Sequence, residues 1–346
     1  MPTQKDVAKL AGVSFMTVSR VINNNGYVSE ETRKRVEDAI KQLGYSPSFA
    51  GKALNRGRTD TIGVMTPVRF GDGFGNVYLL GLIRGIELGC RKYKKDMLFS
   101  PFATDDPDFD YLRPYKQKKV DGLIYIGMQS MPEEVHREIQ RYSIPCVVIG
   151  DRPDDHSISW VDTDNERAGY DSVKRLVSLG HERIGFVGLI PEMYNSNIQD
   201  RENGYKRAMR ELLSMDDSEK WIMRSRFEEV SVYKAVRERF EMLDRPLTAL
   251  FCATDRIALG ALHAVKDIGL RVPEDVSIIG FDGLIKEFLF NPTIASNEQP
   301  LVEMGKRAAE IINRHIENPN FPRETCIFPV YPVDGDTVAP PPVSLN

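Results

Sequence analysis

Six residues between positions 15 and 23 have types and spacing that could do recognition chemistry: Phe15, Met16, Thr17, Ser19, Arg20 and Asn23. Arg20 can donate a forked pair of hydrogen bonds to a guanine edge. Thr17, Ser19 and Asn23 suit phosphate or base contacts, and Phe15 and Met16 offer apolar contact only, for example to a thymine methyl. At about 100° per residue, Val18, Val21 and Ile22 share one helical face, while Met16, Arg20 and Asn23 fall on the other. Thr17 and Ser19 flank that outer face; Phe15 lies nearer the apolar side, in a first turn from which it can still reach outward. The plain alternative is a surface helix of a small bundle with Phe15 in its core, but this leaves Met16 beside Arg20 unexplained. The residues therefore point to a helix that reads DNA.

Chemistry of other kinds is hard to find. No Ser/His/Asp triad, H-E-x-x-H pair or paired-carboxylate arrangement is legible, so no catalytic residue is expected. The five histidines are too scattered for a metal site, and His181 reads as structural. Gly71-Asp72-Gly73-Phe74-Gly75-Asn76 resembles a dinucleotide loop, but Asn76 stands where a third glycine is required and no Lys-Ser/Thr follows. A loop over a ligand cleft accounts for it better, and no cofactor is expected. Cys90, Cys146, Cys252 and Cys326 are widely spaced without a C-x-x-C pair, and three sit in apolar runs, which reads as buried free thiols.

The elements that must position the recognition residues are three short helices. Thr3 and Asp6 form a capping box that opens the first, which runs through Ala11 to a Gly12-Val13 turn. Ser14 caps the second, reaching Asn23; Ser29 caps the third, and Gly44 closes it. From Thr61 onward, short β-rich runs (62–65, 97–100, 122–126, 146–149, 184–187, 249–252, 277–281) alternate with amphipathic stretches (78–95, 165–179, 201–213, 255–268, 301–317). That alternation implies parallel sheets with right-handed crossovers. The fold class is thus an all-α helix-turn-helix head plus an α/β core of two doubly wound parallel-sheet subdomains.

The expected boundaries are 1–46 for the head, 47–60 for a hinge, 61–338 for the core and 339–346 for a disordered or extended tail. The core divides into a first subdomain of about 61–162 with 293–321, and a second of about 163–292 with 322–338. Residues 1–60 hold 10 Lys+Arg against 6 Asp+Glu, a net +4 inside a chain of net −4. A basic head on an acidic body fits a domain that meets phosphates. Neither a secretory leader nor an apolar run near the ~20 residues of a membrane span is evident, so the expected location is the cytoplasm.

Asp6-Val7-Ala8, Ala11-Gly12-Val13-Ser14, Thr17–Asn23, Val28–Arg33 and Leu43–Pro47 together resemble the LacI/GalR family head. The likeness continues through Arg84–Glu87, Asp121–Ile124, Ile144-Pro145, Val161–Asn165, Leu179–Ile184, Arg201–Tyr205, Thr254–Gly260 and, most diagnostic, Val272–Asp282. It covers essentially the whole chain and implies a periplasmic-binding-protein-type core. In this family the two residues after the turn Ser and the later Arg read bases, here Phe15, Met16 and Arg20. The resemblance also implies a hinge helix with Leu54 as a minor-groove wedge and Lys52 among the DNA-binding residues, keeping the charge of the family's Arg. Ser48, Gly51 and Lys52 depart from the family's Asn, Ala and Arg; Gly51 costs about 1 kcal/mol of helix propensity.

Carried over position by position, Tyr78 and Leu79 would face a ligand from the first subdomain, and Arg201, Thr254 and Asp282 from the second. Asp255 stands between a ligand contact and a cap on the following helix; Asp151-Arg152 could be structural or ligand-facing. Ligands of open α/β sheets bind beyond the C-terminal strand ends, where Asp255 and Asp282 lie. The implied partners are a pseudo-palindromic double-stranded DNA operator, a small effector of sugar or sugar-derivative type, and a second copy of the chain. Purines and protein corepressors also occur among such relatives. A soluble sugar-binding protein and a nucleotide-using enzyme are the alternatives.

Overall fold

The computed structural model describes residues 2–46, 57–67, 75–102, 110–153, 157–243, 246–284 and 292–342. Lys52 and Leu54, with the rest of the expected hinge through Arg56, lie outside the described residues, as do Gly71–Phe74. The chain divides into two compact units, Met1–Thr61 with Pro114–Asp121, and Ile62–Arg113 with Gly122–Asn346.

In the first unit, α1 (Gln4–Ala11), α2 (Phe15–Asn23) and α3 (Glu30–Leu43) begin and end where the caps predict. Thr3 and Asp6 form the reciprocal capping box, and Ser14 and Ser29 accept from the backbone N–H of Thr17 and Thr32. Each cap satisfies an orphan donor, worth about 1 kcal/mol. Val7, Val18 and Val36, one from each helix, are fully buried at the centre of the bundle. The Asp121 carboxylate accepts from Thr59 N and Oγ1 at 2.7 and 2.9 Å and from Asp60 N at 2.7 Å.

The second unit holds two sheets. The first has six strands, ordered β11 (Thr325–Phe328), β5 (Ser159–Thr163), β4 (Cys146–Ile149), β3 (Gly122–Ile126), β1 (Thr61–Pro67) and β2 (Asp96–Phe102). The second is ordered β7 (Ile222–Ser225), β6 (Ile184–Leu189), β8 (Ala249–Cys252) and β9 (Ser277–Ile279). Every central pairing with a described register is parallel. Helices cover both faces, which is why β1, β3, β4 and β6 are buried along their whole length and read as continuous apolar runs. A short antiparallel ribbon of β10 (Ser296–Glu298) and β12 (Tyr331–Val333) runs beside the second sheet, with Ala295 bridged to Ile279.

In chain order the helices after the head are α4 (Gly75–Lys92), the single turn α5 (Arg113–Lys116), which falls mostly in the first unit, and then, in the second, α6 (Glu133–Arg141), α7 (Asn165–Ser178), α8 (Ser196–Leu213), α9 (Glu229–Met242), α10 (Asp255–Asp267) and α11 (Leu301–Glu317). Two crossings are backbone-close. A Cβ on Gly85 of α4 would sit 2.1 Å from Val302 O of α11, and one on Gly204 of α8 would sit 2.1 Å from Glu166 O of α7. The second crossing matters for function, because it lays Arg201 against Asn165.

The subdomain expectation needs two corrections. Residues 325–328 were assigned to the second subdomain but form β11 of the first sheet, in register with Trp160–Thr163. Residues 293–298 were assigned to the first, but Ala295 and Glu298 bridge to Ile279 and Asp282 beside the second sheet. In both places backbone pairing, invisible in local composition, decides the side. The start of the tail is also tied down: Ala339 exchanges hydrogen bonds with Ser277 Oγ and accepts from His181 Nε2 at 2.8 Å. His181 is buried, with Nδ1 2.9 Å from Thr248 Oγ1, consistent with a structural role. Cys90, Cys146 and Cys252 are buried free thiols. Among the described residues no helix is long and apolar enough to cross a membrane.

Candidate functional site

The outer face of α2 is exposed where the sequence places it. Ser14 fixes the start of the helix, so Phe15 and Met16 stand in its first turn with 48% and 61% of their surface in solvent. One turn on, Arg20 is exposed and its side chain makes no hydrogen bond or ion pair among the described residues. Thr17 Oγ1 lies 2.9 Å from Ser14 Oγ, and Asn23 Nδ2 donates to Ser19 Oγ at 3.3 Å. These partly buried polar groups frame the face, while two large apolar side chains and one unpaired guanidinium project from it. The opposite face, Val18 and Val21, is buried in the bundle.

In the second unit a buried polar cluster forms beyond the C-terminal ends of β5, β8 and β9. Its centre is Arg201, 2% exposed. Arg201 Nε donates to Asn165 Oδ1 at 2.9 Å, and Nη1 donates to Ala253 O at 2.6 Å and lies 3.5 Å from Asp282 Oδ1. Its guanidinium carbon sits 3.6 Å from the centroid of the Phe281 ring. Burial lowers the arginine's pKa, and the neighbouring Asp282 opposes this; an arginine keeps its charge regardless.

Asp282 leaves β9 with φ 116°, a conformation costly for any residue with a Cβ and tolerated where the surroundings hold it. Its N–H donates to Asn297 O at 2.8 Å, and Oδ1 accepts from Gln299 Nε2 at 2.7 Å. Gln299 Oε1 in turn accepts from Thr163 Oγ1 at 3.1 Å. Burial raises the Asp282 carboxyl, with Arg201 and Gln299 pulling it back.

Asp255 is not the cap of the following helix, which was one of its two expected roles. Thr254 caps α10 by accepting from Ile257 N at 3.2 Å. The Asp255 carboxylate instead accepts from Leu284 N at 2.7 Å and Ser296 Oγ at 2.5 Å, latching the strand exits together. Burial, then the nearby Asp282, raises its pKa. Leu79, the other residue expected to face a ligand from the first subdomain, is 5% exposed and belongs to the first core with Leu82, Ile86 and Leu301. Tyr78 is half-buried; burial, then Asp162 and Asp282, raise its phenol, which places it in the field of the cluster.

Several residues were missed as site candidates. Asp162, at the end of β5, is 1% exposed and accepts from Thr163 N and Asn165 Nδ2 through Oδ1, while Oδ2 has no partner. Burial pushes its carboxyl up to about 7. Asn197, in the first turn of α8, has an equally orphaned Oδ1. Asn165 and Gln299 serve as bridges. The signal for Asp162 was a charge inside a strand otherwise suited to burial.

A clasp joins the two sheets next to the cluster. Asn195, the N-cap of α8, donates through Nδ2 to Gly127 O at 2.7 Å and Gly150 O at 3.2 Å. Ser196 N donates to Asp151 Oδ1 at 3.0 Å, Arg152 N donates to Ser196 Oγ at 2.9 Å, and Arg152 pairs with Asp200. A cavity of about 380 Å³ opens here, lined by Ser130, His136, Asp151, Arg152, Tyr194 and Gln199 among others.

The comparisons with known proteins agree with both parts. Residues 3–48 match the model for bacterial regulatory proteins of the lacI family, and residues 173–338 match a periplasmic-binding-protein-like domain. The chain is 34% identical over 334 residues to the HTH-type transcriptional repressor PurR of Aliivibrio salmonicida, covering 96% of this chain and 97% of that one. A transcriptional regulator CelR–cellobiose complex superposes with TM-score 0.73 at 27% identity, covering 97% and 100% of the two chains. The lac repressor dimer bound to operator and the anti-inducer ONPF superposes with TM-score 0.83 at 22% identity, covering 98% and 99%, a likeness of fold.

Proposed function

The chain belongs to the lacI family of bacterial regulatory proteins, DNA-binding transcriptional regulators rather than enzymes, and from that premise we propose that it is a repressor under small-molecule control. It acts in the cytoplasm as a homodimer whose two heads read a pseudo-palindromic operator. A sugar or sugar derivative binds between the halves of the core and changes operator affinity. The observation that carries the DNA reading is the outer face of α2: Phe15 and Met16 left in solvent beside an unpaired Arg20. Large apolar side chains grouped on a surface mark a covered face, and a helix offering them with a guanidinium fits a major groove. Thr17, Ser19 and Asn23 add polar contacts, Leu54 wedges into the minor groove from the hinge, and Lys52 adds a charged DNA contact beside it.

The effector reading rests on Arg201, Asp282 and Tyr78 meeting beyond the strand ends, and on the cellobiose carried by a neighbour of the same architecture. Effector and operator would be coupled by about 1–3 kcal/mol. A transport-type sugar-binding protein would leave the head without a task.

A gel shift with the gene's own upstream region tests the proposal. A retarded band at a palindromic site, changed by a sugar, is expected; no bound palindrome with or without sugars overturns it.

A further inference from the structure

Asp121 closes a latch on the last two residues of the hinge. Its Oδ1 accepts from Thr59 N and Oγ1 at 2.7 and 2.9 Å, and its Oδ2 accepts from Asp60 N at 2.7 Å. The Asp121 N–H donates in return to Thr61 O at 2.8 Å, and Thr61 Oγ1 donates to Thr59 O at 3.1 Å. Both sides of the latch are stiff. Lys118 N and Lys119 N donate to Tyr115 O and Pro114 O at 2.8 and 2.9 Å, Val120 is buried and Gly122 opens β3, so the turn that presents Asp121 is fixed. Thr59 is buried, and Asp60 sits at φ 52°, a left-handed conformation that a residue with a Cβ keeps where its surroundings hold it. Hydrogen bonds to a carboxylate are roughly twice as strong as neutral ones, and three of them converge here on two consecutive residues.

We propose that Asp121 fixes the point from which each hinge departs, and thereby sets the separation of operator half-sites that the protein accepts. The inference rests on the dimeric operator reading above and adds to it a specificity determinant that acts through the hinge, not through a base.

Reach supplies the magnitude. Thr59 follows Leu54, the expected wedge, by five residues. A chain spans at most about 3.3–3.6 Å per residue, so freeing Thr59 and Asp60 lengthens each tether by up to about 7 Å. One extra base pair moves a half-site by about 3.4 Å along the duplex and turns it by about 35°. A hinge released at Asp121 absorbs that displacement, and a hinge held there does not. The longer tether also lowers the effective concentration of the second head once the first is bound. Loss of the latch therefore weakens binding at the native spacing and flattens the dependence on spacing, while each head reads its half-site as before.

Gel-shift titrations of the full chain test this on three DNAs. These are the palindrome from the gene's own upstream region, the same site with one base pair inserted or removed at its centre, and a single half-site. The parent should lose at least about tenfold on the respaced sites. Asp121→Ala should bind the native palindrome about tenfold more weakly than the parent, lose no more than about threefold on respacing, and match the parent on the half-site. Asp121→Asn keeps one acceptor oxygen and should fall between the two. Circular dichroism and sedimentation check that each variant is folded and dimeric. If Asp121→Ala is not, Asp121→Asn and Thr59→Val, which removes a single donor at nearly constant shape, decide through the same spacing ratio.

A folded variant that keeps the parent's full penalty on respacing overturns the assignment. So does an equal loss on all three DNAs, which would make Asp121 a support of the head itself. A parent that binds the half-site as tightly as the palindrome overturns the dimeric reading, and the role of the latch falls with it.

Discussion

The guanidinium of Arg201 lies 3.6 Å over the Phe281 ring while its edge is held by Asn165 and Ala253 and faces Asp282. A planar, forked cation satisfies all four neighbours at once; a lysine ammonium is a point charge on a flexible stem and cannot. Arg201→Lys is expected to lose effector binding and to destabilise the core by about 3 kcal/mol, the range for breaking one partner of a buried ion pair. Urea melts of the isolated change, read with a binding titration, check it; a stability within about 0.5 kcal/mol of the parent would contradict the central placement of Arg201.

Arg20→Ala removes the one guanidinium of the outer α2 face without touching the buried Val18 and Val21. Specific operator binding should weaken by about 1–3 kcal/mol or more per half-site, with the melting temperature and effector affinity unchanged. Competition gel shifts against random DNA separate the roles. An equal loss on operator and random sequence would make Arg20 a phosphate clamp instead of a base reader.

The head was legible almost to the residue because its signals are local. Thr3 with Asp6, Ser14, Ser29, Gly12 and Gly44 are caps whose geometry depends on a few neighbours. Strands of continuous apolar character, such as Gly122–Ile126 and Cys146–Ile149, were equally plain. β5 was missed because Ser159, Asp162 and Thr163 interrupt its apolar run; Asp162 and Thr163 make polar contacts of the cluster, while Ser159 meets His315 at the other end of the strand. β7 was missed for a similar reason, since Arg224 points from it into a network with Glu202 and Glu219. The return of β11 to the first sheet depends on pairing with Trp160–Thr163, about 165 positions away, and no local pattern encodes it. Position alone left Asp255 between a cap and a ligand contact, and hydrogen bonding gives the cap to Thr254.

Asp162 makes stability depend on pH with a definite sign. Its carboxyl titrates near 7 in the fold, because of burial, against 3.8 for the ordinary group. A raised pKa means the folded state holds the proton more tightly, so this contribution is full below pH 4 and is lost as pH rises through about 7. Asp282 and Asp255 are shifted in the same direction. Melting temperature measured from pH 5 to pH 8 without effector should therefore fall less steeply in Asp162→Asn than in the parent. Parallel curves would show that Asp162 stays charged in the fold.

Gly204 of α8 sits where a Cβ would lie 2.1 Å from Glu166 O and 2.7 Å from Tyr170 N, both backbone atoms of α7. Backbone cannot swing aside as a side chain can, so Gly204→Ala must push the helices apart. The cost should be about 1–3 kcal/mol, as for overpacked cores, despite alanine's better helix propensity. Because the same crossing holds Arg201 against Asn165, effector affinity should fall as well. Chemical denaturation and titration on the one variant read both effects, and a stabilised protein would refute the close crossing.

Asn195 serves two purposes that substitution can separate. Its Oδ1 caps α8 by accepting from Ile198 N at 3.1 Å, while Nδ2 reaches Gly127 O and Gly150 O at the ends of β3 and β4. Serine retains a good capping oxygen but lacks both the reach and the amide donors. Asn195→Ser should therefore leave the helix cap nearly intact and release the clasp between the sheets, whereas Asn195→Ala should lose both, with about 1 kcal/mol more destabilisation. If the clasp favours the effector-binding arrangement, both variants bind effector more weakly to a similar degree, since the apparent affinity scales with the fraction of molecules already arranged to bind. Their melting temperatures should differ while their affinities agree. Affinities that instead track the melting temperatures would assign Asn195 to the cap alone, and small-angle scattering with and without effector would then show no change in compactness between the parent and Asn195→Ser.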